Sequence, residues 1–292
     1  MRLAAIFSLL IALTACQTRS PDRIVVGSKN FTEQIILGEL LAQQIENKTG
    51  LGVERRLNLG GTLLCQQAIR AGEIDAYVEY TGTALIAILK QTPSGDAQEV
   101  YRRVKQAYAG EFGLEVGSPL GFNNTFAIVI RGEDARRLHL TTLSEAARYT
   151  PQWTAGFGYE FMERPDGFRG LAETYGLRFA GHPRIMDLGL IYRALKEHQV
   201  DLVAGNSSDG LIAALDLFVL RDDRSYFPPY YAVPVVRRQT LERHPQLAAC
   251  LQGLAGKISE ADMRRLNYEV DGKHRDVKVV VREFLVAKGL SR

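Results

Sequence analysis

The sequence has few of the residues that identify metalloenzymes and disulfide-rich proteins. Its 292 residues include three cysteines, one tryptophan and five histidines, and the histidines are scattered without ligand spacing. No H-E-x-x-H or C-x-x-C spacing occurs, and the segment GNSSDG (205–210) does not match the G-x-S-x-G turn of a nucleophilic serine. These absences argue against an enzyme, and we expect neither a cofactor nor a bound metal.

The chain also lacks a large excess of charge of one sign. It has 36 Lys and Arg against 33 Asp and Glu, a formal net charge of +3, and its basic residues form no long run. Nucleic-acid binding needs a dense basic surface, so we expect no nucleic-acid partner. The ~270 residues that follow the N-terminal segment are enough to bury a substantial core.

The chain begins with an apolar segment, MRLAAIFSLLIALTAC. Its apolar run, residues 3–13, is shorter than the ~20 residues of a membrane-spanning helix, and its charged start and small final residues are typical of a secretory signal. Cys16 follows Leu-Thr-Ala, as in a bacterial lipobox. The pattern predicts a signal peptide over 1–15, lipid attachment at Cys16, a tether over 16–22, and an exported, membrane-anchored lipoprotein that faces the periplasm or cell exterior. An ordinary signal peptide is the alternative.

Two cysteines remain after Cys16, namely Cys65 and Cys250. An oxidising compartment permits a disulfide between them. Both lie in helix-like segments, however, and free cysteines are often small core residues. The sequence leaves both alternatives open.

Short apolar strands alternate with helix-like segments, which predicts an α/β fold with mainly parallel sheets flanked by helices. Several strands end in a polar or aromatic turn that leads into a helix: GSKNF, NLGGT, VEYTGT and GNSSDG. Open α/β sheets bind small ligands at such strand ends, so Lys29 would point into a shared cleft. Asn30 and Glu33 have the spacing of a helix capping box, and so do Ser259 and Asp262.

Seven segments resemble, in order, the substrate-binding proteins of ABC transporters for glycine betaine, choline and related osmoprotectants. They are GSKNFTEQIILGELLAQ (27–43), NLGGT (58–62), GEIDAYVEYTGTAL (72–85), GFNNTFAIVI (121–130), EFMERPDGF (160–168), DLVAGNSSDGLI (201–212) and FPPYYAVPVVR (227–237). The resemblance implies a type II periplasmic-binding-protein fold with two lobes and two crossover segments. Lobe I would comprise residues 23–121 and 232–292, and lobe II residues 122–231.

The resemblance also implies a function. The protein would be a monomer that captures a quaternary ammonium compound, with glycine betaine as the leading candidate, and delivers it to an ABC permease and its ATPase subunit. The alternatives are a larger betaine such as ergothioneine or carnitine, an amino acid, or a sensory lipoprotein of the same fold. A hydrolase is the least favoured.

A quaternary ammonium ion cannot donate hydrogen bonds, so proteins recognise it with aromatic ring faces. By similarity, Tyr80, Phe122 and Tyr230 would be walls of an aromatic cage. Lys29 and Arg164 would bind a carboxylate or close the lobes.

Each assignment has a structural alternative. Tyr80 could be a surface residue and Phe122 a core residue, while alternation along a strand allows only one of Tyr230 and Tyr231 to face the cleft. Arg164 could instead pair with a nearby carboxylate, that of Glu160, Glu163 or Asp166.

Where many betaine binders of this family have tyrosine, the chain has Asn206, which adds hydrogen-bonding capacity and favours a larger or more polar betaine.

Overall fold

The computed structural model describes residues 23–291. The predicted signal peptide (1–15), the lipid site Cys16 and the tether (16–22) lie outside the described residues. Between residues 23 and 291, no helix has the length and hydropathy that a bilayer crossing requires.

The strands form two five-stranded sheets. In chain order they are β1 (Arg23–Lys29), β2 (Gly52–Gly60), β3 (Ala76–Tyr80), β4 (Leu114–Val116), β5 (Phe126–Arg131), β6 (Ala155–Phe157), β7 (Arg184–Ile185), β8 (Leu202–Asn206), β9 (Leu217–Leu220) and β10 (Ala232–Arg237). The first sheet has the order β2-β1-β3-β10-β4 and the second the order β7-β6-β8-β5-β9. We call the body built on the first sheet lobe I and the body built on the second lobe II.

Helices cover both sheets. They are α1 (Thr32–Thr49), α2 (Thr62–Ala71), α3 (Thr81–Thr83), α4 (Ala97–Ala107), α5 (Gly132–Leu138), α6 (Leu143–Ala146), α7 (Tyr159–Glu163), α8 (Phe168–Tyr175), α9 (Ile191–Lys196), α10 (Leu211–Ala214), α11 (Arg238–Arg243), α12 (Gln246–Gln252), α13 (Glu260–Asp271) and α14 (Val277–Ala287). Short π-helical turns, Ala84–Ile88 and Tyr108–Phe112, continue α3 and α4, and a 3₁₀ turn spans Thr150–Gln152.

The sheets are mixed, which corrects the expectation of mainly parallel sheets. β1 pairs in parallel with β2 and β3, and β6 pairs in parallel with β7 and β8. β5 and β10 are antiparallel to both of their neighbours. These are the two strands that enter a sheet directly from the other lobe, so they arrive from the opposite end.

The two crossing segments lie side by side. One joins β4 to β5 and the other joins β9 to β10, and Asn123 and Tyr231 form an antiparallel bridge between them. The Tyr230 N–H donates to Asn123 Oδ1 at 2.6 Å, and the Asn124 N–H donates to the Tyr230 carbonyl at 3.0 Å. This pairing holds Asn124 and Tyr230 at the junction of the lobes.

Both faces of each sheet are buried, as expected when helices cover them. On β1, Ile24 and Val26 belong to one core cluster of lobe I, whereas Val25 belongs to the cluster on the opposite face. Cys250 lies in the first cluster and Cys65 in the second, and both are free thiols. The two cysteines are therefore separate core residues, and the disulfide that the sequence left open is not formed.

Candidate functional site

A cavity of about 650 Å³ lies between the lobes. The carboxyl ends of β1, β3 and β8 and the junction of the crossing segments surround it. Five of the predicted site residues line it: Lys29, Tyr80, Arg164, Asn206 and Tyr230. Six aromatic side chains contribute to the wall: Phe31, Tyr80, Phe126, Tyr159, Phe161 and Tyr230.

Phe122 does not line this cavity, contrary to the expectation of a cage wall. It is 1% exposed and belongs to the lobe I core with Leu120 and Ala232, because it precedes the bridge between the crossing segments. Phe126, at the start of β5, lines the cavity. Of the adjacent tyrosines, Tyr230 lines the cavity.

Lys29 ends β1 and is almost completely buried. Its Nζ lies 2.5 Å from Glu79 Oε1 and 5.2 Å from the centroid of the Tyr80 ring. Glu79 also accepts hydrogen bonds from the Tyr80 N–H at 2.7 Å and the Tyr77 hydroxyl at 3.3 Å. The charge of Lys29 is thus compensated inside lobe I, at the floor of the cleft.

The predicted capping box of α1 is not formed. Phe31 is the N-cap residue of α1, and no side chain caps the helix. The side chain of Glu33 turns inward instead and is 1% exposed. The same sequence pattern does form a capping box at Ser259 and Asp262, on the surface at the start of α13.

Glu33 is the centre of a buried hydrogen-bond cluster, which we call the Glu33 cluster. Its Oε1 accepts from the Tyr80 hydroxyl and from Asn124 Nδ2, the latter at 2.8 Å. Its Oε2 accepts from the Ser208 hydroxyl and from Asn267 Nδ2, the latter at 3.2 Å. Burial raises the pKa of the Glu33 carboxyl, and the four hydrogen bonds offset part of that effect.

The donors of the Glu33 cluster come from different parts of the fold. Tyr80 ends β3 and Asn267 lies in α13, both in lobe I, whereas Asn124 lies in a crossing segment and Ser208 follows β8 in lobe II. Asn267 Nδ2 also donates to the Ser208 carbonyl at 2.9 Å. One buried carboxylate therefore ties the two lobes together beside the cleft.

Arg164 pairs with Asp166, one of the three carboxylates that the sequence offered. Arg164 Nε donates to Asp166 Oδ1 at 2.8 Å, and the Tyr230 hydroxyl donates to Asp166 Oδ2 at 2.5 Å. Across the cleft, Arg164 Nη1 donates to Thr83 Oγ1 at 3.0 Å. The guanidinium lies 5.2 Å from the centroid of the Phe126 ring and 6.0 Å from that of Tyr230.

A second contact across the cleft involves Glu160. Its Oε1 accepts from the backbone N–H of Thr62, the first residue of α2, and the Thr62 hydroxyl lies 3.2 Å from Oε2. A Cβ on Gly61 would lie 2.8 Å from Glu160 Cδ, so a glycine is needed for this close approach. The lobes are thus in contact at the mouth of the cleft as well as at the Glu33 cluster.

Asn206 lies at the end of β8 and lines the cavity. Its backbone N–H donates to Asp209 Oδ2 at 2.9 Å, and the Tyr192 hydroxyl donates to the same oxygen at 2.6 Å. Burial raises the pKa of Asp209 to about 7. This turn, GNSSDG, therefore places a second carboxylate of raised pKa near Glu33.

Sequence reasoning did not recognise the carboxylates that organise the site. It placed Glu33 in a capping box, it offered Glu160 and Asp166 only as alternative partners of Arg164, and it gave Glu79 no role. The sequence did contain a signal for Glu79, because this glutamate lies within the strand-like segment AYVEY, and a glutamate that a strand buries, as β3 does, needs a partner. No comparable local signal marks Glu160, since its partner Thr62 is distant in the chain.

The fold and the cleft define a two-lobed solute-binding protein of the type II periplasmic-binding-protein class. Residues 22–287 match the family described as the substrate binding domain of the ABC-type glycine betaine transport system, and the chain belongs to that family.

Curated relatives extend the likeness over nearly the whole chain. A carnitine transport binding protein of Listeria monocytogenes is 35% identical over 96% of this chain and 95% of its own. A glycine-betaine-binding protein of Pseudomonas aeruginosa is 37% identical over 94% of this chain and 90% of its own. A crystal structure of a glycine betaine/carnitine/choline ABC transporter is 34% identical, has a TM-score of 0.76, and matches 91% of this chain and 99% of that chain.

Proposed function

We propose that this protein is the extracytoplasmic binding component of an ABC importer. It acts as a monomer that captures a quaternary ammonium compound in the cleft and delivers it to the permease and its ATPase. A lipid on Cys16 holds the protein at the membrane. The observation that carries the proposal is the cavity between the lobes, with its six aromatic side chains.

The chemistry of the cavity suits a cation that cannot donate hydrogen bonds. Ring faces attract such a cation by ~0.5–2 kcal/mol each, depending on desolvation. Lys29 already lies over the Tyr80 ring, and Arg164 lies over the rings of Phe126 and Tyr230. Three of the six rings of this cavity therefore already take part in cation–π contacts, and the ligand would add contacts of the same kind.

Within this proposal, five cavity residues contact the ligand: Lys29, Tyr80, Arg164, Asn206 and Tyr230. Phe122 contributes only by packing behind the cavity. Lys29 and Arg164 are each paired with a carboxylate, so they orient a zwitterion by their dipolar pairs rather than as free charges.

We also propose that the lobes comprise residues 23–121 with 232–292, and residues 122–231. The strand membership of the two sheets supports this division. Ligand binding would stabilise the closed arrangement by its excess affinity for that arrangement. The contacts of Glu160 with Thr62 and of Arg164 with Thr83 would then form as the lobes close.

Titration calorimetry tests the proposal with a matched ligand pair and a matched variant pair. Choline and its uncharged analogue 3,3-dimethylbutanol have the same shape and differ in charge. Because the rings attract the positive charge, only choline should bind. Tyr80→Phe keeps the ring and, like Tyr80→Leu, loses the hydroxyl that donates to Glu33, so it is the reference against which the contribution of the ring to choline binding is measured. Tyr80→Leu removes the ring, and the lost cation–π contact should weaken binding ~2–30-fold.

Two results would count against the proposal. Equal binding of choline and 3,3-dimethylbutanol would show that the cavity recognises shape and not charge. Equal affinities of Tyr80→Phe and Tyr80→Leu would remove Tyr80 from the ligand site. A screen with glycine betaine, carnitine, ergothioneine and amino acids then identifies the solute, since a tight ligand raises the melting temperature by mass action.

A further inference from the structure

The mouth of the cleft has an apolar rim that the contacts of Lys29, Glu33 and Arg164 do not explain. The rim consists of Leu63 and Leu64 of α2 in lobe I and of Tyr159 and Ile185 in lobe II. All four line the cavity, and each exposes more than half of its surface. Three exposed charged residues, Lys90, Glu163 and Asp187, also line the cavity, so the apolar rim lies among charged side chains. One exposed apolar side chain is ordinary, but four around one opening with a polar surround are typical of a binding groove.

Core packing does not account for the two leucines. The buried residues of α2 are Thr62, Cys65, Gln66, Ala68 and Ile69. Leu63 and Leu64 lie outside that buried face, in the first turn of the helix, where they are 57% and 56% exposed. They present apolar surface to the mouth of the cleft instead of contributing to the interior of lobe I.

The cavity is also larger than a compact betaine requires. Glycine betaine has eight non-hydrogen atoms, and at the ~30 Å³ that a water molecule takes in the liquid these would fill ~240 Å³. The cavity volume is about 650 Å³, within the range of clefts that hold drug-sized ligands. More than half of the space therefore remains once a trimethylammonium head with a short tail is in place.

We infer that the apolar rim is a subsite for an apolar chain or ring on the ligand. The inference rests on the proposed function and narrows the ligand class to quaternary ammonium compounds with an apolar extension. The head lies among the rings at the floor of the cleft, and the extension runs outward between the leucines of lobe I and Tyr159 and Ile185 of lobe II. Because both lobes contribute to the rim, the extension bridges them when the cleft closes.

A homologous series of ligands tests the subsite. Tetramethylammonium supplies the head alone, and butyl-, hexyl- and octyltrimethylammonium add methylenes to the same head. Titration calorimetry on the full mature chain should show Kd falling ~2–4-fold for each methylene that the rim covers. In the double variant Leu63→Ser/Leu64→Ser this dependence on chain length should be largely lost, while the Kd of tetramethylammonium stays within ~2-fold of the original.

Leu190→Ser is the matched control. Leu190 is an equally exposed leucine of lobe II, at 54%, and it does not line the cavity, so its variant should keep the full dependence on chain length. The uncharged 1-hexanol should not bind, and binding as tight as that of hexyltrimethylammonium would overturn the ligand class.

The remaining outcomes separate the inference from the proposed function. A Kd that does not change with chain length, or a dependence that survives in the double variant, overturns the subsite and leaves the proposed function intact. Loss of solute uptake by cells with the double variant, with the dependence retained, would assign the leucines to contact with the permease. Failure of every member of the series to bind would contradict the proposed function itself.

Discussion

Two buried carboxylates lie on opposite sides of the end of β3, and the protein satisfies them in different ways. Glu79, on β3, faces Lys29 of the neighbouring strand, and the pair is complete within lobe I. Glu33, on α1, faces the hydroxyl of Tyr80, and its hydrogen bonds come from neutral donors in both lobes and in a crossing segment.

The two carboxylates therefore have different roles: Glu79 stabilises lobe I itself, and Glu33 takes part in the contact between the lobes. The charge of Glu79 is balanced whatever lobe II does, so the Lys29–Glu79 pair holds the floor of the cleft in place. The carboxylate of Glu33 keeps its donors Tyr80 and Asn267 in lobe I, but it holds its fourth hydrogen bond only while Ser208 of lobe II remains against lobe I. A carboxylate of the second kind favours the contact between the lobes, because their separation removes one hydrogen bond from a buried charged group.

The largest effect should come from breaking the Lys29–Glu79 pair. Glu79→Gln leaves a buried ammonium without its counter-charge, which should lower the free energy of unfolding by ~3–5 kcal/mol. Denaturant unfolding of the ligand-free protein measures this loss of stability. The double variant Lys29→Met/Glu79→Gln should recover most of the loss, since it removes both charges. Additive effects of the two substitutions would show that the residues do not act as a pair.

The next effect is a pH dependence that belongs to Glu33. Its pKa is raised in the folded state, so between its ordinary value and the raised value the folded protein holds a proton that the unfolded chain has lost. Stability should therefore fall as pH rises through this window, by at most ~1.4 kcal/mol per pH unit. Glu33→Gln should remove that slope.

Asp209 is the nearby carboxyl with a pKa raised to about 7. It also makes the free energy of unfolding fall as pH rises, and its contribution ends near neutral pH. The variant Asp209→Asn therefore separates the two contributions in unfolding experiments between pH 4 and pH 8. If Glu33→Gln has the same pH dependence as the unsubstituted protein, the Glu33 carboxyl is not the group that titrates.

The smallest effect should come from removing one donor of the Glu33 cluster. Ser208→Ala deletes the only hydroxyl that lobe II supplies to this carboxylate among the described residues, at a cost of ~0.5–1.5 kcal/mol. Because the lost bond joins the lobes, we expect ligand affinity to fall ~2–10-fold with little change in the melting temperature without ligand.

Glu160→Gln is the companion of Ser208→Ala at the mouth of the cleft. It weakens the contact with the α2 N-terminus at a half-exposed position, so its effect on affinity should be no larger. A melting temperature that falls strongly in Ser208→Ala without ligand would mean that the Glu33 cluster supports lobe I and not the contact between lobes.

The local elements could be predicted from the sequence, whereas strand direction could not. The run RIVVGS followed by an amphipathic segment predicts β1 and α1, and both are present with small shifts at their ends. The mixed sheets follow from the path of the chain between lobes, since β5 and β10 enter after a crossing. No pattern within either strand encodes that direction.

The site could be predicted only in outline. Lys29, Tyr80 and Tyr230 lie at strand ends or in a crossing segment, where topology alone brings side chains into a cleft. The error at Phe122 has a physical reason: the crossing segment turns between Phe122 and Phe126, and only the second ring reaches the cavity. The partners of buried charges, such as Asp166 for Arg164, depend on geometry that spacing does not fix.

The position of β10 has a consequence for the order in which the chain can fold. β10 lies between β3 and the edge strand β4, so a nascent chain that ends before residue 232 lacks the strand that joins β4 to the rest of its first sheet. The second sheet is built from one continuous stretch, residues 126–220, and has no such requirement. Lobe II can therefore fold while the chain is still being synthesised. Lobe I contains the first strand of the chain, but its sheet is complete only after β10 has been synthesised.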